Sequence, residues 1–404
     1  MLNSVAAPSS SSLPEQTSAN ETSVNPRPVL LMVRALSIGG CERDLTKIAI
    51  ALDRSRFEPH VACFHSDGPR FPELLAAGVP VVELPVRSFG SLSAVRGASE
   101  MARYIRRHRI QLIHAFDVPT SIFAAIASRF FPVPVVITAQ LSYRDLYAPY
   151  LRHLLSVSDW CSDRIVVNSK AVRQSLVEEE RLAPERISLI YNGVDASVFH
   201  PLGRQRPAWL ADASLVIGTV CALRSEKRLD LLMHVFAGVR DLRPGMKLVI
   251  VGSGAMQPEL EALLLRLGLE HDCCLFPQTV EVAEWMRAID IFVLCSESES
   301  FPNALLEAMA CGCCVIGSRV GGVPELIADG ENGLLFESRN AMDLARVLGK
   351  AIQNDSLRES LGHEASVTAL GTFSIETAAR CTEALYESLL NGDCVASARQ
   401  STLK

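Results

Sequence analysis

The feature that constrains the fold most is a series of short apolar runs, each separated from the next by a segment with helical periodicity. Near-continuous apolar runs are typical of parallel strands that helices cover on both faces. We therefore predict an α/β protein with two doubly wound, Rossmann-like domains that face each other across a cleft. The predicted strands are Val29–Val33, His60–Phe64, Val79–Leu84, Gln111–Ala115, Val133–Thr138, Arg164–Asn168 and Ile187–Ile190, then Leu215–Val220, Lys247–Val251, Cys273–Phe276, Asp290–Cys295, Cys314–Gly317 and Gly333–Phe336.

A stretch with little periodicity, residues 192–213, divides these strands into two groups. Its Gly and Pro residues interrupt regular structure, so we interpret it as the interdomain linker. Residues 1–26 are rich in Ser, Pro, Asn and Thr, which favours a disordered tail over a signal peptide. The predicted order is the tail at 1–26, a first domain at 27–195, a second domain at 196–374, a helix at 375–391 that could return to the first domain, and a tail at 392–404.

Composition argues against several classes of protein. The net charge of −6 does not suit a dedicated nucleic-acid binder, and the 12 cysteines are scattered rather than spaced as a disulfide framework. No apolar run has the length needed to span a bilayer. The cysteine cluster at Cys311–Cys314 has no second pair of Cys or His residues with zinc-site spacing. We therefore interpret these cysteines as small buried residues rather than as metal ligands. We expect a soluble cytoplasmic protein that binds no nucleic acid.

The stretch from Cys295 to Gly312 carries the main functional signal. An apolar strand ends there, and Pro302 suits the first position of the helix that follows. Glu299 is then expected in the loop and Glu307 about one turn inside the helix. A helix N-terminus at the carboxyl end of a strand attracts anions, whereas two carboxylates repel them. A ligand that carries phosphates and hydroxyl groups, such as a nucleotide sugar, would suit the helix N-terminus and the two carboxylates together.

Other strand-to-helix turns have features that suit the same ligand. Gly39 and Gly40 would let backbone approach it closely, although a tight turn without a ligand explains them equally well. Arg224 and Lys227 follow a predicted strand, where cations would neutralise a departing diphosphate. Gly252-Ser-Gly254 is weak evidence for a nicotinamide cofactor, because the third glycine of that fingerprint is missing.

Together these segments resemble the retaining glycosyltransferases of the GT-B fold, family 4. The segments that match are Leu223-Arg-Ser-Glu-Lys227, Val249-Ile-Val-Gly-Ser-Gly254, Ser298-Glu-Ser-Phe-Pro-Asn303 through Gly312, Gly321-Gly-Val-Pro-Glu325, Asp329-Gly-Glu-Asn-Gly333, Gly39-Gly-Cys-Glu42, Val167-Asn-Ser169 and Asn192-Gly-Val-Asp195. Glu299 and Glu307 have the spacing of the family's E-x7-E signature. The similarity runs from about Val29 to Leu390.

The resemblance implies a role for each matched residue. Glu307 would accept hydrogen bonds from the ribose hydroxyls of the donor, and Glu299 would contact the transferred sugar. Lys227 would bind the diphosphate, opposite the free N–H groups of Asn303 to Leu305, and Gly40 would leave room for the phosphates. Such enzymes transfer with retention by same-face attack and use no metal or other cofactor.

Two departures from the family pattern affect the site. Ala222 occupies the place of a common arginine, and Arg224 could reach the same phosphate. Phe116 replaces the second histidine of a His-x-His segment, which leaves Asp117 as a substitute polar group and His114 as an interior strand residue. The predicted catalytic residues are Glu299, Lys227, Arg224 and Asp117. The predicted substrate-binding residues are Gly39, Gly40, Gly254, Phe301, Pro302, Asn303, Ala304, Leu305 and Glu307.

The acceptor side is less defined. The cluster Arg103-Tyr-Ile-Arg-Arg-His-Arg109 is interpreted first as a solvated helix end, and second as a patch that faces an anionic acceptor or a membrane surface. Arg144 and Tyr147 fall in a predicted acceptor loop. Peripheral contact with the inner face of the membrane is therefore an expectation.

The sequence thus predicts a retaining, metal-independent hexosyltransferase that moves a sugar from a nucleotide-diphosphate sugar to a glycan, a lipid-linked acceptor or a polysaccharide precursor. Three alternatives stay open. A nucleotide-sugar epimerase can share the fold, a phosphorylase-like enzyme would carry pyridoxal phosphate on a lysine, and a non-catalytic relative would only bind nucleotide sugars.

Overall fold

The computed structural model describes residues 25–131, 133, 135–203 and 205–392. Its first sheet has seven parallel strands in the order β3-β2-β1-β4-β5-β6-β7. These strands are β1 Arg27–Ala35, β2 Phe57–His65, β3 Val81–Glu83, β4 Leu112–Ala115, β5 Val135–Gln140, β6 Arg164–Val167 and β7 Ile187–Leu189. The helices between them are α1 Gly40–Ala51, α2 Arg70–Ala76, α3 Leu92–His108, α4 Val118–Ala127, α5 Pro149–Cys161 and α6 Lys170–Glu178.

The second sheet has six parallel strands in the order β10-β9-β8-β11-β12-β13. The strands are β8 Leu215–Val220, β9 Met246–Val251, β10 Cys273–Phe276, β11 Ile291–Leu294, β12 Cys314–Ser318 and β13 Leu334–Phe336. The helices are α7 Leu229–Val239, α8 Gln257–Arg266, α9 Val282–Ala288, α10 Asn303–Ala310, α11 Val323–Leu326, α12 Ala341–Gln353, α13 Asp355–Thr372 and α14 Ile375–Leu390. The predicted fold class is confirmed.

Strand order reverses at one place in each sheet, between β1 and β4 and between β8 and β11. Ligands of doubly wound proteins bind at such switch points, outside the carboxyl ends of the strands. The loops that leave β8 and β11 therefore lie side by side, and they carry Lys227 and Glu299.

Residues of β1 alternate between two cores. Leu31 packs with helices α1 and α14, while Leu30 packs with α3 and α4 on the other face of the sheet. Helix α14 thus covers the first sheet, where Tyr386 is fully buried and packs edge-on against Phe57 at 5.6 Å. Ser374 caps this helix by accepting from Thr377 N at 3.2 Å.

The chain passes between the two sheets twice, and the two passages lie against each other. Val194 N donates to Phe373 O at 2.8 Å, and Ile375 N donates to Val194 O at 2.9 Å. A Cβ on Gly193 would lie 2.6 Å from Ile375 Cα, so only glycine permits this approach.

Every apolar run predicted as a strand is one. The ends differ by up to three residues; for example, β3 starts at Val81 rather than Val79 because Pro80 has no N–H to donate. The predicted tails lie almost entirely outside the described residues, and the predicted domain limits stay predictions. Within the part of the chain that is described, no helix is both long and apolar enough to cross a membrane.

Candidate active site

A cavity of about 480 Å³ opens between the two sheets, at their switch points. Its walls come from the turn before α1, the loops after β8, β9, β10 and β11, and the start of α10. The predicted site residues that line it are Gly39, Gly40, Arg224, Lys227, Glu299, Pro302, Asn303, Ala304 and Glu307. The structure therefore brings most of the predicted set together.

Glu307 is the most deeply buried charged residue of this group, with 1% of its surface exposed. Arg43 Nη1 lies 2.9 Å from Glu307 Oε1 and donates to Oε2 at 3.2 Å, and Lys47 Nζ lies 3.9 Å from Oε1. Both cations come from α1 of the first domain. A buried carboxylate requires such compensation. Oε1 receives no well-aligned hydrogen bond from the described residues, and the two cations are its charged neighbours.

Glu299 and Lys227 form a second ion pair, with Lys227 Nζ 2.6 Å from Glu299 Oε1. Ser296, a fully buried residue just after β11, donates to the same oxygen at 2.7 Å. Both side chains of the pair are mostly buried. The hydrogen bonds hold the carboxylate and the ammonium group together at the wall of the cavity.

Helix α10 points its N-terminus into the cavity. Pro302 is the N-cap, with φ −76° and ψ 109°, so the helix starts one residue later than predicted. The N–H groups of Asn303, Ala304 and Leu305 have no carbonyl of their own helix to bond, because the first turn of any helix leaves its donors free. These donors and the helix dipole favour an anion there.

The side chain of Asn303 joins the domains. Its Nδ2 donates to both carboxylate oxygens of Asp44, at 3.0 and 3.1 Å, and its Oδ1 accepts from Asn192 Nδ2 at 3.1 Å. Burial raises the pKa of Asp44 above its ordinary value. A Cβ on Gly40 would lie 3.5 Å from Asn303 Nδ2, so the Gly39-Gly40 turn passes close to the start of α10.

Three predicted binding residues contribute no side chain to the cavity. Phe301 is buried and packs against Tyr191 at 5.0 Å and Phe373 at 5.4 Å, and Leu305 is fully buried in the core of the second domain. A Cβ on Gly254 would lie 2.4 Å from the carbonyl oxygen of Leu223, so this glycine serves the contact between two loops.

Arg224 and Ala222 both line the cavity, and the Arg224 side chain is 68% exposed and lies 3.7 Å from Glu226. Asp117 does not line it. Instead Asp117 caps α4: its Oδ1 accepts from Thr120 N at 2.9 Å, and its Oδ2 accepts from Arg34 N at 2.6 Å. Burial raises the pKa of Asp117. Both of its oxygens are engaged in holding backbone.

His114 is an interior strand residue, as predicted. It is buried, its ring lies 4.3 Å from that of Phe116, and its Nδ1 lies 2.8 Å from the hydroxyl of Tyr386 on α14. Burial lowers the pKa of His114 to about 3, so the ring is neutral at physiological pH. Arg144, placed by the sequence in an acceptor loop, is buried and paired with Asp159 at 2.5 Å.

Sequence reasoning missed several residues that the cavity depends on. Arg43 and Lys47 lie four residues apart at the start of the helix after Gly39-Gly40, so they share one face of it. This spacing was the sequence signal that could have indicated two cations at the cavity. Ser253, Gln278 and Thr279 follow β9 and β10 and line the far end of the cavity. In the described residues, His, Cys, Asp and Glu side chains form no group of three or more suited to a metal ion. The absence of a resident metal stays a prediction.

Two family models match the chain. The model described as "Glycosyltransferase Family 4" matches residues 38–198, and the model described as "Glycosyl transferases group 1" matches residues 204–367. Together they cover strands β2 to β13 and the residues that line the cavity.

Curated relatives and solved structures agree with these matches. The chain is 27% identical over 307 residues to N-acetyl-alpha-D-glucosaminyl L-malate synthase of Bacillus anthracis, covering 73% of this chain and 79% of that protein. It is 29% identical over 237 residues to a Campylobacter jejuni protein named N-acetylgalactosamine-N,N'-diacetylbacillosaminyl-diphospho-undecaprenol 4-alpha-N-acetylgalactosaminyltransferase, covering 58% of this chain and 62% of that one. The crystal structure of Anabaena Alr3699/HepE in complex with UDP and glucose superposes with a TM-score of 0.78 at 23% identity, over 89% of this chain and 99% of that one.

Proposed function

The chain belongs to the family 4 (group 1) glycosyltransferases, and from this premise we propose that it transfers a hexose from a nucleotide-diphosphate sugar to an acceptor hydroxyl with retention of configuration. The observation that carries the proposal is Glu307, a buried carboxylate that lines the cavity beside the N-terminus of α10. A ribose hydroxyl would donate to the carboxylate, and a diphosphate would bind at the helix N-terminus.

Donor binding follows from the charges around the cavity. The diphosphate would lie against the free N–H groups at the start of α10, with Lys227 and the exposed Arg224 on its other side. The ribose would donate to Glu307, and the base would lie toward Gln278 and Thr279 at the far end. UDP is bound by the Anabaena protein, which supports a nucleoside diphosphate as the shared ligand.

The reaction that fits is same-face substitution at the anomeric carbon. The bond from that carbon to the diphosphate oxygen breaks while the acceptor oxygen bonds to the same face, and the departing phosphate accepts the acceptor proton. Negative charge grows on the leaving diphosphate, and Lys227 and Arg224 stabilise it there. Glu299, held by Lys227 and Ser296, would orient the sugar hydroxyls. Retention and independence from metal are part of the proposal.

For the acceptor, we propose a glycan or a lipid-linked polysaccharide precursor, reached at the cytoplasmic face of a membrane through peripheral contact. The name of the Campylobacter relative includes diphospho-undecaprenol, which supports a lipid-linked acceptor. The alignment with that relative spans less than two thirds of its length.

A donor screen tests the proposal. Each nucleotide-diphosphate sugar is added to the purified chain, and the melting temperature is recorded; at about 100 times Kd a true donor adds roughly 2.7 kcal/mol of stability. The stabilising donor is then incubated with and without acceptor, and products are separated. Conversion of the donor without acceptor would indicate an epimerase, and stabilisation without transfer to any glycan or lipid-linked acceptor would indicate a binding protein. No stabilisation by any donor would overturn the proposal.

A further inference from the structure

One face of the first domain exposes a group of apolar side chains to solvent. Helices α3, α4 and α5 form this outer face, because α3 and α4 pack on the side of the sheet opposite α1 and α14, and α5 packs on α4. A groove of about 550 Å³ runs along the face, and aromatic and aliphatic residues dominate its lining. Its walls include Phe89, Val95, Ile126, Phe130 and Leu154.

The apolar residues of the outer face are unusually open to solvent. Leu92 is 75% exposed, Phe130 77%, Tyr150 67% and Trp160 61%. Single exposed apolar residues are common on any protein, whereas an apolar groove lined by exposed residues such as Phe89, Val95 and Phe130 is typical of an interaction surface. Tyr150, Leu154 and Val157 follow one another at helical spacing, so α5 adds an apolar stripe next to the groove.

The same face has a strong excess of arginine. Helical periodicity places four arginines on the exposed side of α3, together with Leu92. The four are Arg96, Arg103, Arg106 and Arg107. Glu100 opposes them, paired with Arg103 at 2.6 Å. At the far end of α4, the Arg129 guanidinium lies 5.1 Å from the centre of the Trp160 ring. The whole chain has a net charge of −6, so this positive charge is local.

From this geometry we propose that the outer face docks on the surface of an anionic phospholipid bilayer. All basic residues between 87 and 160, other than histidines, are arginines. The planar guanidinium group of arginine binds phosphate through two parallel hydrogen bonds. Exposed Tyr, Trp and Phe side chains favour the boundary between headgroups and acyl chains. Charge spread over several turns of helix matches a continuous anionic surface better than one acidic side chain of a protein partner.

Docking through this face would serve the proposed function, because it would bring the protein to a lipid-linked acceptor. The inference rests on the proposed function only for this purpose. Helices α3, α4 and α5 each begin after the carboxyl end of a strand, at the edge of the sheet where the cavity opens. Leu92 and Tyr150 lie at this end of the outer face, whereas Arg103, Arg106 and Arg107 lie at the other end of α3, so a bilayer that lies along the helices passes the cavity edge at Leu92 and Tyr150. The hydroxyl or phosphate of a lipid-linked acceptor would reach the donor without leaving the membrane surface.

The test is sedimentation of the full chain with lipid vesicles. We expect binding to vesicles with about one third phosphatidylglycerol, at least about tenfold tighter than to phosphatidylcholine alone, and a loss of that binding as salt rises from about 50 to about 500 mM. Equal binding to both vesicles, or none to either, would overturn the inference.

Two sets of substitutions locate the surface. Leu92→Ser with Phe130→Ser, and separately Arg103→Gln with Arg106→Gln and Arg107→Gln, should each weaken vesicle binding by about tenfold or more. The matched controls are Met342→Ser and Arg346→Gln, exposed residues of the second domain, which should bind as the parent does. Donor-induced thermal stabilisation should be unchanged in all of them.

Other outcomes are equally informative. Vesicle binding that survives both sets of substitutions would contradict the assigned face. A parent dimer in light scattering that Leu92→Ser with Phe130→Ser dissociates, without vesicle binding, would identify the face as a contact between copies of this chain. Normal vesicle binding without donor stabilisation would remove the proposed function and leave the docking surface intact.

Discussion

At the scale of single residues, the cavity contains carboxylates that already have cationic partners. Glu307 is paired with Arg43 and Lys47 from the other domain, and Glu299 with Lys227 from the neighbouring loop. Removing one member of a buried pair leaves an uncompensated charge. The donor therefore enters a site whose charges are balanced beforehand, and each substitution acts on stability as well as on binding.

Arg43→Gln should lower the free energy of unfolding by about 3 kcal/mol, since Glu307 keeps only the more distant Lys47. Urea unfolding of the parent and the variant measures the difference. The control is Arg346→Gln, whose pair with Asp343 is exposed and should change stability by no more than about 0.5 kcal/mol. Equal stability of the Arg43 variant and the parent would show that the interdomain pair contributes nothing.

Glu307→Ala should abolish donor-induced stabilisation, while Lys227→Ala should bind donor and lose about 100- to 1000-fold in kcat. The difference arises because Glu307 would contact the ribose in every bound state, and Lys227 meets charge that grows only as the diphosphate leaves. Binding is measured by thermal shift and turnover by product release. Parent-like binding and turnover in both variants would refute the assigned roles.

The sequence was informative about one half of this site. Glu299, Pro302, Asn303 and Glu307 lie close together in the chain, so their spacing predicts their geometry. Arg43 is 264 positions away from Glu307, and no local pattern indicates that contact. Only the packing of one domain on the other creates it.

At the scale of secondary structure, helix ends explain residues whose roles the sequence left open. Asp117 was predicted to supply a catalytic polar group, and the structure shows it as the N-cap of α4. The strand predictions succeeded because a buried parallel strand is specified by its own apolar residues. The start of α10 shifted by one residue because Pro302 can serve as N-cap as well as first helical residue.

Substitution of Asp117 separates capping from catalysis. Asp117→Ala should cost about 1–2 kcal/mol of stability through loss of the cap, and Asp117→Asn should recover most of it because an amide oxygen still accepts. If the residue acts only as a cap, the Asn variant keeps its kcat. A fall of about 100-fold in kcat for Asp117→Asn with normal stability would instead support a catalytic role.

The contact between β4 and α14 should make stability depend on pH. Unfolded histidine titrates near 6.5, while folded His114 stays neutral until about pH 3, so the unfolded state binds more protons between those values. Stability should therefore fall as pH drops, by about 1.4 kcal/mol between pH 7.5 and 5.5 from this group. His114→Gln should remove that share in urea unfolding at the two pH values. An unchanged pH dependence would mean that His114 has the same pKa in the folded protein as in the unfolded chain.

At the scale of the whole molecule, the domains are joined by polar contacts beside the cavity. Glu325 of the second domain accepts from Lys170 N at 2.9 Å and Ala171 N at 3.0 Å, which are the free donors at the start of α6 in the first domain. Tyr191 donates to the same carboxylate at 2.8 Å. These contacts hold the two domains together.

Glu325→Ala should favour opening of the cleft, because the start of α6 loses its carboxylate and water replaces it. Small-angle scattering should show a larger radius of gyration than the parent, and added donor should reduce the difference. Turnover should fall because an open cleft admits water. Glu331→Ala, an exposed site on the same domain, is the control; identical scattering curves for Glu325→Ala and the parent would contradict the role.

The paired passages of the chain at Val194 and Ile375 have a mechanical consequence. Two polypeptide segments fixed side by side act as a hinge with one free axis, because bending about that axis is easy while twisting would separate the segments. Opening and closing of this enzyme should then follow a single rotation, and the release of spent nucleotide would retrace the path by which the fresh one arrived.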